Sequence, residues 1–548
     1  MEYPRPWLKI YEQYGVSFNN DYEAVSLYEL LKKTAKEIPD KTAIIFYGRK
    51  ISYGQLLALA ERTASAFHQI GIRKGDRVAV MLPNCPDFAI AYYAILRLGA
   101  IVVNTNPMYM ERELEHQLND SGARFIVVLQ DLYPRVKNIR SSTPLEKVFI
   151  TSFLNGKPEQ LDPEVYWFPE LYATDREPAP EVEVDAREDI AVLQYTGGTT
   201  GVSKGAMLTH YNLYVNAMQT SLFFEASEEW REKKESILVV IPLFHVYGMT
   251  CGMNLALATG TAMILLPRFE INEFVKTLQE YRPTYFPGVP TIYHALRQHP
   301  EFLKDPLAAK VYSSGSAPLA VEIVQDYMKM FENTDSMFSE GYGLSEASPV
   351  THSNPGKELT KPGSIGVPYP DTEAAIVDLE TGTKFLPPGE IGELVIKGPQ
   401  VMKGYWNRPE QTAQTLKNGW LYTGDIAKMD EDGYFYIVDR KKDIIIAGGF
   451  NIYPRDIEEV LYELPQVLEA VVVGIPDPYR GETVKAYLVL KEGQSLSEEE
   501  VIAYCKQKMA AYKVPKQIEF RKELPKTAVG KLLRRKLREE ELAKMRAQ

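Results

Sequence analysis

Three cysteines in 548 residues, Cys85, Cys251 and Cys505, are too few and too scattered for a disulfide framework. No C-x-x-C occurs among them, which excludes a thiolate zinc site and suits a reducing cytoplasm. The seven histidines form no H-E-x-x-H or H-x-x-x-H pair, so a histidine metal centre is not expected. Positive charge is in deficit: 62 Lys and Arg stand against 73 Asp and Glu, a net charge of −11. Nucleic-acid partners usually require a basic face, and none is expected here. No apolar run approaches the roughly 18 residues of a membrane span. The first ten residues hold two prolines and no apolar core, unlike a signal peptide. Peripheral contact with the inner face of a membrane stays compatible with the chain, although no segment demands it. No period of 20–50 residues recurs, so a repeat architecture is excluded.

What remains is an ordinary globular composition, 45% apolar and 25% charged, in a chain long enough for at least two folding units. Helical spacing marks 26–38, 53–70, 87–98 and 111–118, with β-rich runs at 77–82, 100–104 and 124–129. That alternation predicts an α/β fold with largely parallel sheets, whose ligands bind beyond the carboxyl ends of the strands. The acidic, proline-rich stretch 154–188 reads as a surface connection. Strand and helix patterns resume at 237–241, 262–266, 270–281 and 284–286. After about residue 360 short strands with frequent Gly and Pro (362–370, 373–377, 392–396) predict a small β-rich subdomain running to 438. The charged segment Asp439-Arg440-Lys441-Lys442-Asp443 reads as solvated surface or as a hinge at 439–442 between an N-terminal domain, 1–438, and a small α+β C-terminal domain, 443–548. Within the latter, strands are expected at 470–473 and 485–490. A helix at 497–511 has Ser497 and Glu500 in capping-box register.

Four concentrated motifs carry chemistry. The first, 195–208, follows a short apolar run and contains Thr196, Gly197, Gly198, Thr199, Thr200, Gly201, Ser203 and Lys204. Glycines let backbone N–H groups turn inward, the hydroxyls add donors and the lysine adds charge, so a polyphosphate is the natural guest. The spacing differs from G-x-x-x-x-G-K-[ST], because two residues separate Gly201 from Lys204. The second is 339–346, where Gly341 and Gly343 flank Tyr342 and leave a flat face for stacking, with Ser345 beside Glu346, a hard oxygen ligand for Mg²⁺. Upstream, Gly315, Ser316 and Ala317 are small enough for a planar base to approach. In the third, Gly419–Asp425, the Asp425 carboxylate can accept both hydroxyls of a ribose. The fourth, 525–531, ends on Lys531 in a loop, which composition alone reads equally as a surface lysine. His245, among apolar residues, reads as a core histidine or as a functional one.

Taken together and in this order, these motifs resemble the acyl-adenylate-forming enzymes, the group of acyl-CoA synthetases, luciferases and peptide-synthetase adenylation domains. The likeness covers nearly the whole chain. It is strongest to bacterial long-chain fatty-acid–CoA ligases, through Leu193-Gln194-Tyr195, Phe244-His245-Val246-Tyr247-Gly248-Met249, Phe286-Pro287-Gly288-Val289-Pro290-Thr291 and the run 419–454.

The resemblance implies two half-reactions: a fatty acid and ATP give acyl-AMP and pyrophosphate, then coenzyme A gives acyl-CoA and AMP. It implies that Thr196, Gly197, Gly198, Thr199, Thr200, Gly201 and Lys204 grip the phosphates and that Glu346 binds Mg²⁺. Tyr342 would lie on adenine opposite Gly315, Ser316 and Ala317, with Asp425 and Arg440 on the ribose. Lys531 would bridge acyl carboxylate and α-phosphate, and the C-terminal domain would rotate at Lys442 to bring Gly448 and Gly449 to the pantetheine path. His245 would stand at the junction of carboxylate and thiol, with Met249, Gly288, Val289 and Pro290 along the acyl channel. Ser345 replaces the family's usual threonine and keeps the hydroxyl. Relatives are often homodimers. A ligase for aryl or branched acids, a nucleotide-binding homologue without catalysis, and a luciferase-type oxygenase are the competing readings.

Overall fold

The computed structural model describes residues 3–153, 155–196, 203–225, 230, 235–447, 450–527 and 530–547. Among them four sheets are formed. In the first, the strands Ile190–Thr196, Ile101–Asn104, Arg77–Met81, Phe125–Leu129, Lys147–Thr151 and Val165–Trp167 run parallel in that order. Their side chains are buried on both faces, as expected where helices cover a parallel sheet from both sides. The helix Tyr53–Ile70 has the boundaries its pattern predicts, with a Ser52–Gln55 capping box and Gly71 as its left-handed stop.

The stretch 154–188 is more than a connection. Val165 and Trp167 are buried and add an edge strand, and Phe168–Ala173 forms a helix. Three strand residues within an acidic segment are too short a period to stand out. Ile190–Thr196 returns antiparallel as Lys204–Thr209, with Thr196 opposite Lys204, so these two strands form a hairpin.

The second sheet positions the rest of the site. Tyr285–Gly288, Val311–Ser314 and Met337–Gly343 are parallel neighbours, with Gly288 level with Ser314 and Ser314 level with Glu340. The segments that follow, Val289–Pro290, Gly315–Ala317 and Gly341–Glu346, therefore leave one edge side by side, as open α/β sheets place their binding loops. The chain then turns antiparallel through Val350–Ser353 and Val367–Pro368, which close this sheet. Thus 362–370 belongs partly to the α/β body, and the β-rich sheet starts at Glu373–Val377.

That third sheet pairs Trp420–Met429 with Phe435–Arg440 and sets Asp425 opposite Arg440. Asp439 and Arg440 are strand residues, and Asp439 is buried rather than solvated. The C-terminal sheet is built on Val467–Asp477 and Gly481–Leu490 around a core of its own. Its helix Glu498–Lys508 carries the expected Ser497–Glu500 capping box, with Val501 and Cys505 buried.

Gly343 has a packing reason beyond the flatness of its motif: a Cβ there would lie 2.3 Å from the Pro349 carbonyl oxygen. Gly343→Ala must push the antiparallel return away, and overpacking of this kind costs about 1–3 kcal/mol. The expected result is a lower unfolding midpoint for the N-terminal body in a thermal melt; an unchanged midpoint would show that the turn yields freely.

Candidate functional site

Each motif reaches one cavity of about 1300 Å³. On one wall Gly315, Ser316 and Ala317 face Tyr342 and Gly341. A Cβ on Gly315 would approach the Tyr247 ring to 3.2 Å, and Ser316 adopts a left-handed φ of 70°. Tyr342 donates its hydroxyl to Asp425 Oδ2 at 2.5 Å, while Arg440 Nε lies 3.4 Å from Oδ1 of the same carboxylate. The antiparallel register of their strands brings Asp425 and Arg440 together, and the phenol links them to the ring that offers the flat face.

A second wall joins Lys204, Tyr405 and Glu346. The Lys204 ammonium sits 4.5 Å from the centroid of the Tyr405 ring, whose hydroxyl donates to Glu346 Oε1 at 2.7 Å. Ser203 donates to the Thr196 carbonyl at 2.6 Å and closes the base of the hairpin. Gly197, Gly198, Thr199, Thr200 and Gly201 lie outside the described residues, as do Gly448 and Gly449. Ser345 lines the cavity beside Glu346.

The third wall holds His245. Its Nδ1 accepts the Tyr247 backbone N–H at 3.3 Å, and Gln194 Nε2 donates to the Phe244 carbonyl at 3.1 Å, which fixes the segment. Burial, with a further push from Lys531, lowers the imidazole to about 4, so it is neutral at pH 7. Phe224, Tyr247, Cys251, Tyr285 and Val350, mostly apolar side chains, also line the cavity. Pro290 and Thr291 border the cavity, but Met249, Gly288 and Val289 are buried and do not line it. Met249 is fully buried, its sulfur accepting from Tyr92 and Asn104, both at 3.3 Å. Gly288 is backed by the Tyr293 and Phe286 rings, which a Cβ would meet at 2.7 and 2.8 Å.

Lys531 arrives from the C-terminal unit. Gly530 beside it has φ +76° and packs so closely on Thr291 that a Cβ would lie 2.5 Å from the threonine oxygen. The loss of water around Lys531, with Arg440 and Lys442 adding repulsion, lowers the ammonium to about 7 despite Asp425 and Asp443. A lysine half-deprotonated near neutral pH in a cleft is poised for an anionic partner. Lys442 is solvent-exposed at the mouth of the same cavity.

Residues 31–406 match the family model of the AMP-binding enzymes, and 456–531 match the model of their C-terminal domain. The chain belongs to this family of acyl-adenylate-forming enzymes. A long-chain-fatty-acid–CoA ligase of Bacillus subtilis is 47% identical, with 99% of each chain covered. Among solved structures, an anthranilate CoA ligase in complex with anthranoyl-AMP has a TM-score of 0.86 at 28% identity, covering 95% of this chain and 98% of the other. ATP-bound MatB from Rhodopseudomonas palustris has a TM-score of 0.84 at 31% identity, covering 94% and 99%.

Some residues of this AMP-binding enzyme's cavity escape the motifs. Tyr405 holds Glu346 from a two-residue strand nearly sixty positions away, and Gln194 anchors the histidine segment from inside a buried strand. Only their place in recognised phrases could have flagged Gln194 and Tyr247; for Tyr405 the sequence carries no local signal.

Lys531 supplies a pH test. An anion in the cavity favours the charged amine, so its proton affinity must rise when ATP binds. ATP binding without acid substrate should take up about half a proton at pH 7 and close to one by about pH 8–8.5, falling toward none by about pH 6, where the amine is already charged. Calorimetry in buffers of different ionisation enthalpy measures this. Uptake that persists in Lys531→Ala would assign the proton elsewhere.

Proposed function

We propose that this enzyme joins a long- or medium-chain fatty acid to coenzyme A in two steps, through an acyl-AMP, releasing pyrophosphate and then AMP. The observation that carries the reading is the convergence of Lys531 with Glu346, Asp425, Arg440 and His245 on one cavity that apolar side chains such as Phe224, Cys251 and Val350 also line. The name of the 47% identical relative supports the same substrate class.

In the first step a carboxylate meets a polyphosphate, so catalysis is chiefly alignment and charge neutralisation. Tyr342 and Gly315–Ala317 hold the base, and Asp425 with Arg440 holds the ribose. Thr196, Lys204 and the intervening loop residues take the β- and γ-phosphates. Lys531, charged once the anions are in place, lies between the attacking carboxylate and the α-phosphate. Mg²⁺ is usually held by one or two carboxylates plus substrate phosphates. Glu346, a hard oxygen donor on the same wall as Lys204, fits that pattern and would help neutralise the leaving pyrophosphate. Neutral His245 borders the cavity and would stand near the entering carboxylate.

Lys531 serves the first step only. The second uses another face of the C-terminal unit, brought in by rotation at Lys442, with Gly448 and Gly449 beside the pantetheine arm. An aryl substrate is the competing reading, and it is favoured by the tyrosines Tyr247, Tyr285 and Tyr369, which all border the cavity. The protein acts in the cytoplasm, at most peripherally on a membrane, and homodimers are compatible with it.

Three outcomes are expected. Acyl-CoA formation assayed across C6–C20 fatty acids and cinnamic acids should peak among the fatty acids, and a cinnamate optimum would replace the aliphatic reading. Lys531→Ala should slow single-turnover adenylation by about 10²–10³ and leave thioester formation from supplied acyl-AMP far less affected; equal losses would refute the role. Lys442→Pro, which fixes φ, should slow thioester formation while adenylation stays mostly intact, as read by rapid quench of each step.

A further inference from the structure

Two helices at the boundary between the N-terminal body and the C-terminal unit lack caps of their own. Pro454–Tyr462 is preceded by Tyr453, and Val321–Phe331 by Ala320; neither residue gives a side-chain cap. Each gap is filled from the other side. Asp439, on the strand Phe435–Arg440, accepts the backbone N–H of Arg455 at 2.9 Å. Glu459, on the C-terminal helix, accepts the backbone N–H of Val321 at 3.5 Å.

The surrounding cations reinforce the exchange. Arg455 donates to the Ile437 carbonyl at 2.7 Å and to Glu459 at 3.4 Å, so it spans both units. Arg534 reaches Asp439 at 3.5 Å and Asp443 at 3.1 Å, and grips Glu458 through Nη2 at 2.7 and 2.8 Å. Asp439 is only 4% exposed, and burial raises its carboxyl to about 6 against the pull of Arg534. Burial raises Glu459 too, with Arg455 opposing. Asp439 has been taken from water, Glu459 is 33% exposed, and each accepts a backbone N–H from the helix across the boundary.

We infer that Asp439 and Glu459 are positioning residues that exchange helix caps across the boundary and so hold the C-terminal unit where Lys531 enters the cavity. The inference rests on the rotation at Lys442 proposed above. Asp439 precedes that position, while Arg455 and Arg534 follow it, so rotation parts the carboxylate from both. Val321 and Glu459 are parted in the same motion. An interaction present in one arrangement and absent from the other shifts the balance by its full strength. A charged acceptor on a helix N-terminus is among the stronger local contacts available.

The test compares Asp439→Asn and Glu459→Gln with the parent in separate half-reactions. Asparagine keeps an acceptor oxygen but loses the charge. Asp439→Asn should slow single-turnover adenylation by about 10-fold, and Glu459→Gln, with its longer bond, by about 3-fold. Thioester formation from supplied acyl-AMP should stay within about 2-fold of the parent, and a thermal melt checks that the variants fold. Equal slowing of both steps, or no slowing of either, would overturn the inference. Lys442→Pro separates the possible failures. If it also fails to split the steps, the rotation reading falls and the capping inference with it. If it splits them and Asp439→Asn does not, the capping inference alone falls.

Discussion

Backbone pairing among Tyr285–Gly288, Val311–Ser314 and Met337–Gly343 is the constraint on which the rest of the molecule depends. Because Gly288, Ser314 and Glu340 are level across three parallel strands, three segments far apart in sequence end at the same edge. A slip of one residue would turn alternate side chains to the opposite face and misplace Gly315, Tyr342 and Glu346 together. The buried aromatic rings that pack on these strands, including Tyr293 on Phe286 and Phe338, hold that register. Everything else is brought to this edge: the hairpin with Lys204, the β-rich sheet with Asp425 and Arg440, and the loop with Lys531.

Charge then decides how the parts cooperate. Around Lys531 the loss of water, with repulsion from Arg440 and Lys442 added, keeps that lysine partly neutral in the site without substrate. A polyphosphate reverses the balance. The same cavity therefore attracts the nucleotide and lets the nucleotide create the charged state that catalysis requires. At the domain boundary the logic is opposite: the buried Asp439 carboxylate is satisfied by a helix end and by Arg534 of the C-terminal unit, so docking and electrostatic satisfaction occur together. Within the charged run 439–443, Asp439 is built into the packing while Lys441 and Lys442 stay exposed.

Much of the fold was legible because local chemistry and tertiary structure agree. Tyr53–Ile70 begins at a capping box and stops at Gly71, and Ser497 pairs with Glu500 as its spacing requires. Ser26–Ile38 is less sharp: the helix starts at Glu29, after a turn in which Ser26 accepts the Tyr28 and Glu29 N–H groups and also meets His210. The strand Val165–Trp167 was hidden by its shortness, and the hairpin around the glycine-rich loop by the absence of any periodic signal for strand direction. Motif residues such as Asp425, Arg440 and Lys531 do meet in one cavity. Their supports do not announce themselves, since Tyr405 and Gln194 matter only through contacts across 59 and 50 positions of chain. Met249 shows the converse: a residue placed by analogy at the channel is instead buried and does not line the cavity.

We propose that one cavity, completed by a lysine from the C-terminal unit, activates a fatty acid as its adenylate before coenzyme A is involved. Exchange of labelled pyrophosphate into ATP tests that claim most directly, because it reports reversible formation of the adenylate alone. With a C16 fatty acid and no coenzyme A, exchange should be rapid and strictly dependent on the acid. Exchange that requires coenzyme A, or that proceeds without any acid, would contradict it.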